Sequence, residues 1–173
     1  MQATLTKTKN IISGIYKSIA IVAVVGIFVV MITQVLFRYV LNNSLSWSEE
    51  LARFLFVWAS MLGAAVVTGN HGHAAIKMLD SLFSSKANAI KEIIFDLVAA
   101  AIGLMLFYFG IKLVNGVWNQ NSAALKLCYA YVYMAIPVGG IGIMIESILN
   151  VLITTLSLVK PDKEIDDLGG ADT

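Results

Sequence analysis

Apolar residues fall along this chain in four long blocks separated by short polar stretches, and the length of each block carries the first inference. Between Lys17 and Arg38 lie 20 residues without a charge, Ser18 to Phe37. At about 1.5 Å rise per residue, a helix of that length crosses the roughly 30 Å of a bilayer's hydrocarbon. A first helix is therefore expected over about residues 15–40. A cleaved signal peptide would also place basic residues (Lys7, Lys9, Lys17) before an apolar run, but its core would be shorter and end at a small-x-small site. No such site is evident, so the segment reads as an anchor. The second block, Phe54 to about Thr68, reaches spanning length once Trp47 to Arg53 are included, which predicts a helix over about 47–69. The third, about 92–117, has only 15 uncharged residues between Asp96 and Lys112. Both of its ends must then sit near the interfaces, where a lysine can snorkel.

The last block runs from Leu127 to Val159 and contains a single charge, Glu146. That is more than one vertical crossing needs, so the fourth span, about 130–158, is expected to be long, tilted or kinked. Pro137 followed by Gly139, Gly140 and Gly142 supplies a bend, because proline lacks a backbone donor and clashes with the preceding turn. Between the second and third spans the pattern changes. Ala75, Met78, Leu79, Leu82 and Phe83 fall in one arc of a helical wheel, with Lys77, Asp80, Ser81 and Ser84 opposite. This predicts an amphipathic helix over about 74–86 lying in the membrane plane, with an ordinary connecting helix as the alternative. The end of the chain, residues 160–173, carries Glu164, Asp166, Asp167 and Asp172 with almost nothing to bury, and is expected to be a disordered cytoplasmic tail. The expected fold class is an all-α integral membrane protein: one domain over residues 1–159, with four transmembrane helices and one in-plane helix.

Composition sharpens this. Of 173 residues, 58% are hydrophobic and 13% charged, too few charges to coat a soluble globule of this size. Eight basic residues (Lys7, Lys9, Lys17, Lys77, Lys86, Lys91, Lys160, Lys163) flank the spans on one side, against four (Arg38, Arg53, Lys112, Lys126) on the other. The excess predicts that both termini are cytoplasmic. Tyr39, Trp47, Trp118, Tyr129, Tyr131 and Tyr133 then gather at the opposite face as an interfacial aromatic belt. A net charge of +1 gives no basis for a nucleic-acid partner. Cys128 is the sole cysteine, which excludes an internal disulfide, a thiolate zinc cage and a dithiol redox pair.

Few residues carry chemistry. Ser46-Trp47-Ser48-Glu49 has capping-box spacing and should begin the second helix. Glu49 and Glu50 precede Arg53 by four and three residues, so both can reach its guanidinium on one helical face and form a structural joint. The alternative is a carboxylate pair that transfers protons or cations. Glu146 is the one acid deep within a span, where a carboxylate must find a partner, protonate or face water. Its depth along the last helix does not match that of Lys112 on the third. Either it contacts a polar group on another subunit, or the bend brings it near the cytoplasmic interface, with a proton-coupling role as a third reading. His71-Gly-His73 offers too few ligands for a metal, and neither histidine lies inside a span where an axial haem ligand would sit. Cys128 has no local base to activate it. No nucleotide loop, nucleophile elbow or H-E-x-x-H occurs, so neither a cofactor nor an enzymatic activity is expected. Small residues four apart, Ala59 with Gly63, Ser60 with Ala64, Ala99 with Gly103 and Ala135 with Gly139, serve either internal packing or a docking face for a second membrane protein.

Two motifs point further. Arg38-Tyr39 is followed by a short polar loop and then by Trp47-Ser48-Glu49-Glu50-Leu51-Ala52-Arg53, running through Phe56-Val57-Trp58 to Gly63. The Ala123–Leu125 loop leads into Tyr133-x-Ala135-Ile136-Pro137-Val138-Gly139. Over about residues 15–158 the chain resembles the small membrane subunit of tripartite ATP-independent periplasmic (TRAP) transporters, the DctQ-type family. His71-Gly-His73 departs from the pattern, which has a single histidine after a basic residue. The resemblance implies a bacterial inner-membrane complex in which a periplasmic protein captures an acidic solute and a large subunit carries it by a sodium-driven elevator motion. The small subunit would brace the large one as a tight heterodimer, surrounded by membrane lipids. Sialic-acid members are the most similar in feel, with dicarboxylate transport as the alternative. The implied transient dock for the solute-binding protein includes Asn42, Asn43, Ser44, Trp118, Asn119 and Asn121. Pro137, Gly139, Gly140 and Glu146 form the bend and a candidate partner contact. The rival class is an autonomous, oligomeric, cation-coupled transporter that uses Glu146.

Overall fold

The computed structural model describes residues 2–70 and 85–159. They form α1 (Gln2–Tyr39), α2 (Ser46–Gly69), α3 (Ser85–Gly116), the short α4 (Tyr129–Tyr133) and α5 (Ala135–Val159). Four stretches, Thr4–Tyr39, Ser46–Gly69, Ala87–Gly116 and Tyr129–Leu158, are long and apolar enough to cross a membrane. The chain is an all-α membrane protein, with four spans among the described residues. The expected in-plane helix lies outside the described residues except for its last two positions, which belong to α3. His71, His73 and the acidic tail also lie outside them.

Helix α1 starts well before the apolar block. Nothing between Thr4 and Lys17 stops it: there is no proline, and Gly14 costs only about 1 kcal/mol relative to alanine. Along this helix the hydroxyls of Thr8, Ser18 and Thr33 donate to the carbonyls of Thr4, Gly14 and Val29 at 2.8–3.0 Å, so polar side chains on an exposed helix are satisfied by their own backbone. The helix ends where Asn42 takes a left-handed φ of 49°, which lets the Asn43 amide reach back to the Phe37 carbonyl at 3.0 Å.

The last span is interrupted three residues before the proline, at a residue that keeps helical dihedrals. Met134 separates α4 from α5, and Pro137 falls in the first turn of α5, where a missing N–H is tolerated. The ring leaves the Tyr133 carbonyl without its i+4 donor, and the ladder resumes with the Val138 amide on Met134 at 3.2 Å. The glycines that follow serve packing. A Cβ on Gly140 would lie 2.8 Å from the Gly103 carbonyl, and one on Gly103 would lie 2.7 Å from the Gly140 carbonyl, so α3 and α5 cross backbone to backbone. Gly110 admits Pro137, and Gly139 admits Met61 of α2. Helix α5 thus packs along both α3 and α2, while α1 lies chiefly along α2.

This sorts the small-residue pairs. Gly103, Ala135 and Gly139 are buried inside the bundle. Ala59 and Gly63 line an open apolar groove of about 350 Å³ between α1 and α2, with Lys17 at its edge. Ser60 and Ala64 are exposed, on a helix that also exposes Phe56 and Val67.

Candidate functional site: a polar cluster at one end and a clamped loop at the other

The start of α1, the end of α2, the start of α3 and the second half of α5 meet at one end of the bundle, and their buried side chains are polar. Glu146, Ser147 and Asn150 are 0, 0 and 1% exposed. Ser13, Thr68, Asp96 and Thr154 are buried with them. Asn150 donates its amide to the Thr68 carbonyl at 3.1 Å and to Asp96 Oδ1 at 3.3 Å, joining three helices. Glu146 lies one turn earlier on α5, and its carboxylate rests on the backbone of Gly69, where a Cβ would come within 2.6 Å of Oε2. Lys9 stands close enough for its charge to act on both Glu146 and Asp96, and the Tyr16 ring packs over Gly142.

Contact with another subunit is therefore not what buries Glu146. It is enclosed by the chain's own helices, as are Pro137, Gly139 and Gly140. Asp96, read from spacing as an interfacial end of the third span, is a buried member of the same cluster. Thr68, Ser147 and Asn150 escape a reading by charge spacing because neutral polar residues interrupt no charge-free run. A signal exists all the same: Glu146, Ser147, Asn150 and Thr154 recur at i, i+1, i+4 and i+8, one side of a helix whose other polar side chains are Thr155 and Ser157 near its end.

The opposite end holds the joint predicted at the second helix, built differently. Helix α2 does begin at Ser46, but its N-cap is Leu45 with no side-chain cap bond, so the capping box does not form. Instead the Ser48 hydroxyl donates to the Leu45 carbonyl at 2.7 Å. The two carboxylates engage other elements rather than Arg53. Glu49 accepts from Gln34 Nε2 of α1 at 3.0 Å. Glu50 accepts the backbone amides of Ala124 at 3.1 Å and Leu125 at 2.9 Å. Arg53 points outward, exposed, and so does Arg38, whose guanidinium lies 5.9 Å from the Tyr39 ring. Trp47 is exposed near the same edge.

That loop, residues 117–128, is folded back on itself. Asn121 pairs with Cys128, the Ser122 amide reaches the Leu127 carbonyl at 2.8 Å, and Lys126 turns the chain with a φ of 54°. Cys128 Sγ donates to the Trp118 carbonyl at 2.9 Å, a structural use of the lone thiol. Trp58 Nε1 reaches from α2 to the Tyr131 carbonyl at 3.2 Å, and the Phe54 ring meets that of Tyr129 edge-on at 6.0 Å. Asn42, Asn43, Ser44, Trp118, Asn119 and Asn121 all stay exposed on the two loops. Because a carboxylate here replaces water as the partner of two backbone donors, Glu50→Ala is expected to speed hydrogen exchange at Ala124 and Leu125 while the centres of α2 and α5 keep their protection. Unchanged exchange at those two amides would mean that the clamp does not form.

A bundle of four apolar spans, with its polar side chains gathered inside one end and its loops tied at the other, defines a polytopic helical membrane protein. Residues 27–156 match the family described as "Tripartite ATP-independent periplasmic transporters, DctQ component", and the chain belongs to that family. It is accordingly a small-permease component of a TRAP transporter and not an enzyme. It is 31% identical over 124 residues to the sialic acid TRAP transporter permease protein SiaT of Haemophilus influenzae, an overlap of 72% of this chain and 20% of SiaT. It is 25% identical to the sialic acid TRAP transporter small permease protein SiaQ of Vibrio cholerae, covering 91% of this chain and 93% of SiaQ. A third relative, the isethionate TRAP transporter permease protein DctMQ of Oleidesulfovibrio alaskensis, is 26% identical over 78% of this chain and 22% of its own length. The chain thus spans about a fifth of the length of SiaT and of DctMQ.

Proposed function

We propose that this chain is the bracing subunit of a sodium-coupled TRAP importer of an acidic solute in the bacterial inner membrane, held as a tight heterodimer by a large, moving subunit. One observation carries the reading: the side chains that could handle a polar solute are enclosed inside one end of the bundle, while the flanks are apolar and exposed. Phe28, Val29 and Ile32 of α1, Phe56 of α2, and Leu104 and Met105 of α3 all face outward. Such flanks suit lipid and a second membrane protein, and they offer no polar lining for a solute. The two relatives of which this chain matches only about a fifth support a larger permease partner, since each carries a matching segment within a much longer chain. The names of SiaT and SiaQ favour sialic acid as the solute, with C4-dicarboxylate as the alternative carried by another relative, the C4-dicarboxylate TRAP transporter small permease protein DctQ of Vibrio cholerae.

The excess of lysine around the ends of the chain supports cytoplasmic termini. On that orientation the clamped loop and the turn at Asn42 face the periplasm. Asn42, Asn43, Ser44, Trp118, Asn119 and Asn121 then offer a dock for the solute-binding protein. The test is reconstitution. Liposomes containing this chain alone should take up no sialic acid under an inward sodium gradient, whereas liposomes that also contain the large subunit and the binding protein should. Accumulation by the chain alone would favour the autonomous transporter, in which case Glu146→Gln should abolish it.

A further inference from the structure

We infer that the groove between α1 and α2 holds one anionic phospholipid, with an acyl chain laid along the groove and the phosphate on Lys17. One wall is the stripe of α1 from Lys17 to Val25, and the other is the stripe of α2 from Ala59 to Val67. Both stripes advance in steps of three and four residues, so each keeps to one side of its helix. Small residues on α2 make the space. Ala59 and Gly63 lie one turn apart, and a Cβ on Gly63 would meet nothing within 4 Å. Among the described residues that line the groove, Lys17 alone is polar, and no carboxylate stands there to neutralise it.

Depth and charge together identify the occupant. Lys17 and Arg38 bound the charge-free run of α1, which places Lys17 at the level of the lipid headgroups. From Lys17 to Val25 the groove follows the helix for roughly 12 Å, most of the about 15 Å depth of one leaflet. Just beyond Val25 and Ala59 the two helices close on each other: Leu55 Cδ1 rests against Gly26, where a Cβ would lie 3.2 Å from it. The groove is therefore one leaflet deep and ends near the bilayer midplane. A helix of a neighbouring protein needs a track through both leaflets, whereas an acyl chain needs one. Lipid tails are as apolar as the groove walls, so the chain alone gives no preference for one lipid over another. The exposed ammonium at the mouth supplies it, by attracting a headgroup of net negative charge.

The test reads lipid retention and not transport, so its outcome is separate from that of the bracing reading. The full chain is released from nanodiscs of equal phosphatidylglycerol and phosphatidylcholine into native mass spectrometry. One lipid should stay bound per chain, with phosphatidylglycerol favoured about fivefold. Lys17→Gln, at an exposed position, should fold and bring the two lipids to parity. Lys7→Gln, the same loss of charge at an exposed site outside the groove, should leave the preference intact. Gly63→Leu has room for its side chain and should shed both lipids. Equal retention of the two lipids by the wild type would overturn the proposal, as would a bound lipid that survives Gly63→Leu. Parity in Lys7→Gln would also overturn it, by assigning the preference to the basic surface at large. So would a dimer that Gly63→Leu dissociates, which gives the groove to a second copy, or loss of the lipid when the large subunit binds, which gives the groove to that subunit.

Discussion

Gly140→Val is expected to keep α3 and α5 from closing, with a loss of about 3 kcal/mol, enough to leave the last two spans poorly docked. The Cβ of any residue at this position would stand 2.8 Å from both the Gly103 carbonyl and the Phe107 amide nitrogen. Those are main-chain atoms inside a helix and cannot rotate aside as the tip of a side chain can. The two helices must separate, and each then loses the close approach that drives association where lipid is as apolar as the helix faces. Denaturant unfolding in mixed micelles checks this, with Gly14→Ala as the control, since nothing lies within 4 Å of that position. Equal midpoints for Gly140→Val and the wild type would mean that α3 and α5 do not cross there.

Asn150→Leu should be nearly as damaging for a different reason. The side chains are similar in volume, so packing is little altered, but the donors to the Thr68 carbonyl and to Asp96 disappear while both acceptors stay buried. A lost bond to a charged group and a stranded neutral acceptor together come to about 3 kcal/mol. Asn150→Asp should be worse, because it sets a further carboxylate against Asp96. The same micelle titration decides: wild-type stability in Asn150→Leu would show that the bond across α2, α3 and α5 carries no weight.

Charge-free run lengths are enough to find the four spans, since a bilayer imposes one length on every crossing helix. They are poor at helix ends. Helix α1 runs back to Gln2 because nothing in its first turns forbids a helix, and hydropathy is silent on helices that leave the membrane. The sequence points to Pro137 as the source of an irregularity in the last span but not to its position, because the ring removes the donor for the Tyr133 carbonyl and the helix is interrupted at Met134. At the joint, Ser46, Glu49 and Glu50 stand out as a unit, but local spacing favours local partners. The actual partners of the two carboxylates lie 15 and 74 residues away in the chain, a separation that no short motif encodes. Glu146 stands out because it is charged. Its companions Thr68, Ser147 and Asn150 do not, and only the meeting of four helices turns them into a cluster.

The Glu50 clamp also constrains the order in which the protein is made. The carboxylate is synthesised 74 residues before the amides it accepts. Through the insertion of α3 it must therefore remain hydrated at the rim of the bilayer, and the second helical hairpin arrives at an anchor already in place. A ribosome stalled before Ala124 would leave the first hairpin complete and its cap still open.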